Sequence, residues 1–339
     1  MRIALDAMGG DFAPGPIVAG AVQAVKADSH LRIVLVGDHA QIERALAEHG
    51  GSHARLEIFH CSQVITMEDS PVVGLRKKPD SSIIRCWQLM AEKKVEAVVS
   101  AGNTGAVVAA GLRLRRFLKH VRRPGIAATM PTLHGPCVML DVGANVHPKP
   151  SHLYQYGVMG TIFAKQIFKK EMPTIGLMNI GSEEQKGHDL AKETHALFNN
   201  SPLQEQFVGN IEGRDIHKGA ADVVVCDGFV GNVVLKVCEG LFDFIMKVTA
   251  KEVLGSLTSE REHAERAIHR LAHQYDYSEF GGAPLLGIDG ICIICHGASG
   301  DRAIKNALAV AARNAAAGIN QLIVKELEAG PLADSGEDE

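Results

Sequence analysis
The chain has 339 residues, 46% hydrophobic and 22% charged, with a formal net charge of −4. That is the composition of a soluble globule of one large or two ordinary domains, and it supplies no global field that would draw the chain to nucleic acid. No apolar run reaches the ~18 residues of a membrane span. "MRIALDAMGGDFAPGP" is too briefly apolar for a secretory signal, so a cytosolic chain with reduced cysteines is expected.

In chain order, Arg2–Leu5 reads as an apolar strand, followed by "DAMGGDFAPGP" and a helix over about Ile17–Lys26. Arg32–Val36 is a strand, then a helix runs to about His49, and Leu56–Phe59 is a strand. Val95–Val99 leads through "SAGNTGA" into a helix near Ala106, and Cys137–Leu140 through "DVGANVHPKP" into one from Ser151. Thr174–Met178 leads through "NIGSEEQKG" into a helix to about Phe198. Val223–Cys226 leads through "DGFVGN" into a long helix from Val233. Alternating apolar strands and helices imply a mostly parallel sheet covered on both faces. From Leu235 to Tyr275 no strand signal occurs, and two helices around Gly255 and Ser256 read as a projecting hairpin. With no linker composition, residues 1–330 are expected to form a single domain that includes this hairpin. The acidic end "PLADSGEDE", residues 331–339, is expected to be disordered.

"GICIICHGASG", from Gly290, contains Cys292-Ile-Ile-Cys295-His296, which matches the c-type haem attachment pattern and a redox pair. The apolar run between Gly290 and Gly297 reads instead as a buried strand. Residues three apart then point to opposite faces, which suits neither haem, metal nor disulfide. Ser299 or Asp301 is expected to cap the helix that follows, in which Ile304, Leu308, Ala311 and Ala315 recur at helical spacing.

Six glycine-bearing loops thus follow six strands. In open α/β sheets the ligand lies at the carboxyl ends of strands, where glycine exposes backbone N–H groups and helix N-termini favour anions. The pattern points to a phosphate- or carboxylate-bearing ligand. No G-x-x-x-x-G-K-[ST] occurs, no G-x-G-x-x-G follows the first strand, and no G-x-S-x-G elbow is present. His147 and His152 near Asp141 lack partners at metal spacing. No metal or cofactor is expected.

Taken in order, "DAMGGD", "SAGNTGA", "DVGAN", "NIGSEEQKG", "DGFVGN", "GGAPLLG" and "CHGAS" closely resemble the bacterial acyl-acyl carrier protein:phosphate acyltransferase family of phospholipid synthesis (PlsX), over roughly Arg2 to Leu327. The resemblance implies an α/β/α sandwich related to phosphotransacetylases and isocitrate-dehydrogenase-like enzymes. It also implies a homodimer, often at the membrane, and reversible attack of inorganic phosphate on the acyl-carrier thioester. The acyl phosphate formed feeds glycerol-3-phosphate acylation, and the membrane acyltransferase that consumes it is an expected partner.

That reaction needs no protein nucleophile. The protein must hold phosphate ~3–3.5 Å from the thioester carbon and stabilise an oxyanion. Lys186, beside Gly187, and Asn232, at the end of "DGFVGN", are the candidates for the oxyanion, with His296 as a further donor to phosphate. Asp6, Gly9, Gly10 and Asp11, with Asn103, Thr104 and Gly105, are candidate phosphate-cradle residues. So are Asp141, Asn145, Asn179, Gly231 and Ser299. Each also has a purely structural reading, as cap, loop former or solvated side chain.

An acidic carrier protein calls for a local basic surface. "RLRRFLKHVRR" supplies Arg113, Arg115, Arg116, Lys119, Arg122 and Arg123 for docking, and Arg76, Lys77 and Lys78 are a weaker second run. On the hairpin, Leu241, Phe242, Phe244, Ile245 and Val248 form an apolar face suited to dimer contact. A tip near Leu254 and Leu257 is the alternative, lipid-facing reading. The competing functions are a phosphotransacetylase using short acyl-coenzyme A and a non-catalytic adaptor that carries the carrier protein to the membrane.

Overall fold
The structure is a computed structural model that describes residues 1–114, 116–257, 259–275 and 281–330. The N-terminal part runs β1 (Arg2–Asp6), α1 (Gly15–Ala27), β2 (Arg32–Gly37), α2 (His39–Glu48), β3 (Leu56–His60), α3 (Pro71–Lys77), α4 (Ser82–Ala91), β4 (Ala97–Ser100) and α5 (Thr104–Arg113). Next come β5 (Gly125–Thr132), β6 (Gly135–Leu140), α6 (Pro150–Ile167), β7 (Ile175–Met178), α7 (Asp189–Asn199), β8 (Phe207–Ile211) and β9 (Val223–Val225). Then follow α8 (Gly228–Ser256), α9 (Arg261–Tyr275), β10 (Ala283–Leu286), β11 (Ile291–Ile294), α10 (Asp301–Ala316) and α11 (Ile319–Ala329). The expected acidic tail lies outside the described residues.

The strands join in one 11-stranded sheet in the order β3-β2-β1-β4-β11-β10-β5-β6-β9-β7-β8. Most neighbours are parallel, as expected, and helices cover both faces. Three interfaces are antiparallel: β11 with β10, β10 with β5, and β5 with β6. After three reversals, β6, β9, β7 and β8 run opposite to β3, β2, β1, β4 and β11. Counted outward from the seam between β10 and β5, both sides read alike: one antiparallel neighbour, then parallel strands. β10-β11-β4-β1-β2 thus matches β5-β6-β9-β7-β8 about a twofold axis normal to the sheet, with β3 as an extra edge strand. We call these the N-half and the C-half. The C-half strands are contiguous in sequence; the N-half sheet draws on both ends of the chain.

Strand alternation sorts the core into layers. Ile3 and Leu5 face α1 and α10 through Ile17, Val25, Ile304 and Leu308. Ala4, Val98, Met139 and Val224 face the layer of Trp87, Val107 and the inner flank of α8. Val138, Leu140 and Val225 face Tyr154, Tyr156 and Phe163 on α6. Cys292 packs in the second of these layers and Cys295 in the first, so the two thiols lie on opposite faces of the sheet. Burial pushes the Cys295 thiol up to about 12 and raises Cys292 as well.

The hairpin forms as α8 and α9. In α8 only Gly228 and Gly231 are fully buried; Val230, Val234, Leu235 and Cys238 pack the inner flank on the core, and the helix beyond is largely exposed. The helix starts at Gly228 rather than at the expected Val233, because Asp227 caps it. Strands β5, β8 and β10 were not anticipated. The β5 run "GIAATMPT" ends in polar and proline positions, and β10 is only four residues long.

Candidate active site
At the carboxyl edge of the C-half, Asp141 follows β6 and is fully buried. Its Oδ1 accepts from the N–H groups of Ile126 (2.9 Å), Ala144 (3.0 Å) and Gly143 (3.1 Å), and its Oδ2 from that of Asn145 (2.7 Å). Burial pushes this carboxyl above the usual range, and the converging N–H groups oppose that. Asn145 Nδ2 donates to Pro124 O (2.6 Å) and Tyr156 Oη (2.8 Å), which ties the loop to the start of β5 and to α6. Next door, Asp227 Oδ1 accepts from Phe229 and Val230 N–H, both at 2.9 Å. Gly228 N–H donates to Asn145 O at 2.8 Å. The first turn of α8 therefore rides on the Asp141 loop. At Gly231 a Cβ would collide with Asp141 O and stand 2.9 Å from Cys226 Sγ, so only glycine fits. Asn232, one residue on, is exposed and leans over Gly143.

β7 pairs with β9, so the Asn179 loop emerges beside Asp227. Asn179 folds its own loop: Nδ2 donates to Lys186 O (3.0 Å) and Oδ1 accepts from Ile180 N–H (2.8 Å). Lys186 is exposed, with Nζ 3.9 Å from a Glu183 carboxylate oxygen. Two neighbouring strands thus present a lysine and an amide at one edge, beside a rigid glycine loop.

The N-half edge is built alike but closed differently. Asp6 is fully buried; its Oδ2 accepts from Ser100 Oγ (2.6 Å) and its Oδ1 from Met8 N–H (3.2 Å). Burial raises its carboxyl, and hydrogen bonds from Ser100 and Ser82 oppose the shift. Gly9 lies against that carboxylate, and Gly10, at φ +119°, lies against Gly297 O, which also accepts from Asp11 N–H (2.8 Å). Asn103 caps α5 through Ala106 N–H (3.0 Å). Its Nδ2 donates to the carbonyls of Thr66 (3.2 Å), Met67 (3.3 Å) and Asp69 (3.0 Å). Asp11, Thr104, Gly105 and His296 are exposed and Ser299 is half-buried. His296 Nδ1 accepts from Ala298 N–H at 3.2 Å. Neither Ser299 nor Asp301 caps α10: Gly300 is the cap residue, without a side-chain bond, and Asp301 Oδ2 accepts from Gln23 Nε2 at 2.6 Å. Among the described residues no group of three or more His, Cys, Asp or Glu is placed to hold a metal ion.

The family model described as fatty acid synthesis protein matches residues 1–322. A phosphate acyltransferase of Dictyoglomus turgidum is 43% identical over 340 residues, 99% of this chain and 100% of that one. One of Moorella thermoacetica is 47% identical over 340 residues, covering 100% and 97%. The chain belongs to the phosphate acyltransferase family. Two solved structures share its fold. A phosphotransacetylase from Streptococcus pyogenes has a TM-score of 0.62 at 14% identity, covering 95% of this chain and 94% of that one. A branched-chain phosphotransacylase from Enterococcus faecalis V583 has a TM-score of 0.55 at 15% identity, covering 92% and 98%. The expected α/β/α relationship to phosphotransacetylases holds at the level of fold.

Against that family background, one sequence expectation needs correcting. The six glycine loops do not share an edge. Lys186 and Asn232 stand with Asp141, Asn145, Asn179 and Gly231 at the C-half edge. His296 stands at the opposite edge with Asp6, Gly9, Gly10, Asp11, Asn103, Thr104, Gly105 and Ser299. The cause is the polarity reversal through β10, β5 and β6. Sequence reading also missed Asp227 and Ser100. Aspartate directly before "GFVGN" is an N-cap signal that was available.

The basic run is not a helical face but the crossing from α5 to β5, along the C-half edge. Arg113 Nη1 donates to Leu75 O (2.9 Å), Arg116 pairs with Asp289 (2.6 Å) and Lys119 with Glu328 (2.7 Å). Arg122 Nη1 lies 3.4 Å from Ser151 Oγ. Arg123 is exposed and leads directly into Pro124, whose carbonyl holds Asn145. Arg115 lies outside the described residues. In the second run Lys78 pairs with Asp69 at 2.5 Å.

Proposed function
We propose that the chain forms acyl phosphate from a long-chain acyl-acyl carrier protein and inorganic phosphate, at the C-half edge. The observation that carries this reading is the placement of Lys186 and Asn232 by neighbouring strands beside the Asp141 loop. A phosphate oxygen attacks the thioester carbon, a C–O bond forms and the C–S bond breaks. The sulfur leaves with the electron pair and takes the phosphate proton. Lys186 neutralises charge on phosphate and on the developing oxyanion, and the Asn232 amide donates to that oxyanion. A thiol pKa of about 8.5 makes the leaving group good enough without a strong acid. His296 and the N-half loops lie across the sheet and take no part in this step within one chain.

The carrier docks along the 113–123 crossing, with Arg122 and Arg123 nearest the reacting edge. The exposed stripe Val237, Leu241, Phe244, Ile245 and Val248 on α8 serves homodimer contact; Phe242, half-buried, lies off it. No single helix among the described residues is long and apolar enough to cross a bilayer. The chain works in the cytoplasm, with peripheral attachment near the membrane acyltransferase that consumes the product.

The test is to incubate purified protein with palmitoyl-acyl carrier protein, with and without phosphate. Release of carrier thiol should require phosphate, with acyl phosphate trapped by hydroxylamine, and palmitoyl-coenzyme A should compete poorly. No release from folded protein at any phosphate concentration overturns the enzyme reading in favour of an adaptor. A preference for acetyl-coenzyme A makes it a phosphotransacetylase.

A further inference from the structure
One nucleophilic side chain outside the proposed site is paired with a base. Of the seven cysteines, six are buried, and Cys238 on α8 is half-exposed. Burial holds Cys61 and Cys137 up to about 12, and Cys86 and Cys226 well above the ordinary thiol range. Cys238 has a basic side chain as partner: its Sγ lies 3.3 Å from His217 Nε2. The other ring nitrogen, Nδ1, lies 2.8 Å from Pro131 O. A carbonyl only accepts, so Nδ1 carries the hydrogen and the neutral ring turns the Nε2 lone pair toward the thiol. The ring is held from behind as well, because His217 O accepts from Leu133 N–H at 3.0 Å. The hydrogen bond to Cys238 is the main cause that raises the His217 imidazole above its usual value. Nucleophile, base and a third group that orients the base are the arrangement that activates a thiol.

We propose that Cys238 is a modification site that exchanges with low-molecular-weight disulfides, with His217 as its base. Cys238 gives its proton to His217 Nε2 and attacks one sulfur of R–S–S–R. A Cys238–S–S–R bond forms, the R–S–S–R bond breaks, and the departing thiolate takes the proton back from His217. The protein sulfur is oxidised and the departing sulfur reduced. The geometry also gives the adduct a consequence. Cys238 lies on the inner flank of α8, packed against the core layer, six residues or ~9 Å beyond Asn232. A bulky adduct there forces α8 off the sheet and displaces Asn232. This last step rests on the proposed role of Asn232; the thiol chemistry does not.

Native protein treated with oxidised glutathione at neutral pH, followed by peptide mass mapping, should carry the adduct at Cys238 first. Its rate should exceed that of a free cysteine peptide about ten-fold and fall about ten-fold in His217→Gln. Cys238→Ser should keep phosphate-dependent release and lose its sensitivity to the disulfide. A faster reaction at any other cysteine, or a wild-type rate no greater than that of the peptide, overturns the assignment without need of a variant. Modification of Cys238 without change in release would leave the thiol site standing and remove its link to Asn232.

Discussion

The two edges of the sheet are built to one plan and finished differently. The twofold pairs the Asn103 loop with the Asp227 loop, and both residues cap the helix that follows. It likewise pairs the Asp6 loop with the Asn179 loop. At the N-half edge Asn103 and Asp6 turn inward, Asn103 with its amide on three carbonyls and Asp6 bonded to Ser100, while Asp11, Thr104 and His296 stay exposed. The Asp6–Asp11, Ser100–Gly105 and His296–Gly300 loops contain no lysine or arginine. At the C-half edge the inward work falls to Asp141, Asn145 and Asp227, and Lys186 and Asn232 are left facing solvent. Under the proposed function, a shared scaffold does not mean a shared role, and the role follows from which polar groups the loops leave unspent.

The sharpest way to break this contrast is through rate. Lys186→Ala and Asn232→Ala should each lower phosphate-dependent carrier release by ~10²–10³ without change in thermal unfolding. His296→Ala should stay within about three-fold of wild type. An equal loss at His296 would give the two edges one function.

Stability should separate the edges next. Asp141 meets converging N–H donors with both oxygens, so Asp141→Asn turns an NH₂ toward them and should cost about 3 kcal/mol by urea denaturation. Asp6→Asn can keep its oxygen toward Met8 N–H and donate its NH₂ to Ser100 Oγ, a hydroxyl that can accept, and should cost about 1 kcal/mol or less. Carrier affinity comes third. The double change Arg122→Glu with Arg123→Glu should raise the carrier KM about ten-fold at low salt, an effect that shrinks at high salt. Arg76→Glu with Lys77→Glu should leave it unchanged.

The smallest effect concerns pH. Burial raises the Asp6 carboxyl in the folded chain, so the folded state binds the extra proton between the unfolded and folded values. Its contribution to stability is present below the unfolded value and is lost as pH rises through the folded one. Asp6→Asn should remove its share of that downward slope, and leave the share of Asp141, in a plot of urea midpoint against pH.

Much of this was legible in the sequence, and what was not has a definite cause. The long apolar runs, such as Arg32–Val36, announced strands because both their faces are buried. "DGFVGN" and "DVGAN" announced loops because close backbone approach there excludes a Cβ, as at Gly231. Polarity was not legible. It depends on β10, only four residues long, pairing with β5, from which it is separated by more than a hundred residues of sequence. Without that pairing, six similar loops read as one site. The fate of each polar side chain was hidden for a like reason: nothing local to Asn103 reveals that Thr66, Met67 and Asp69 lie across from its amide.

The division of the sheet also bears on how the chain is made. The C-half strands emerge from the ribosome as one contiguous block. β4 cannot gain its second neighbour until β11, beginning at Ile291, has been synthesised. At ~5–20 residues per second, the apolar edge of β4 waits about 10–40 s for a partner. The N-half is thus the last to close and the longest open to wrong pairing, and losing the β10–α10 segment would leave both β4 and β5 with an unpaired edge.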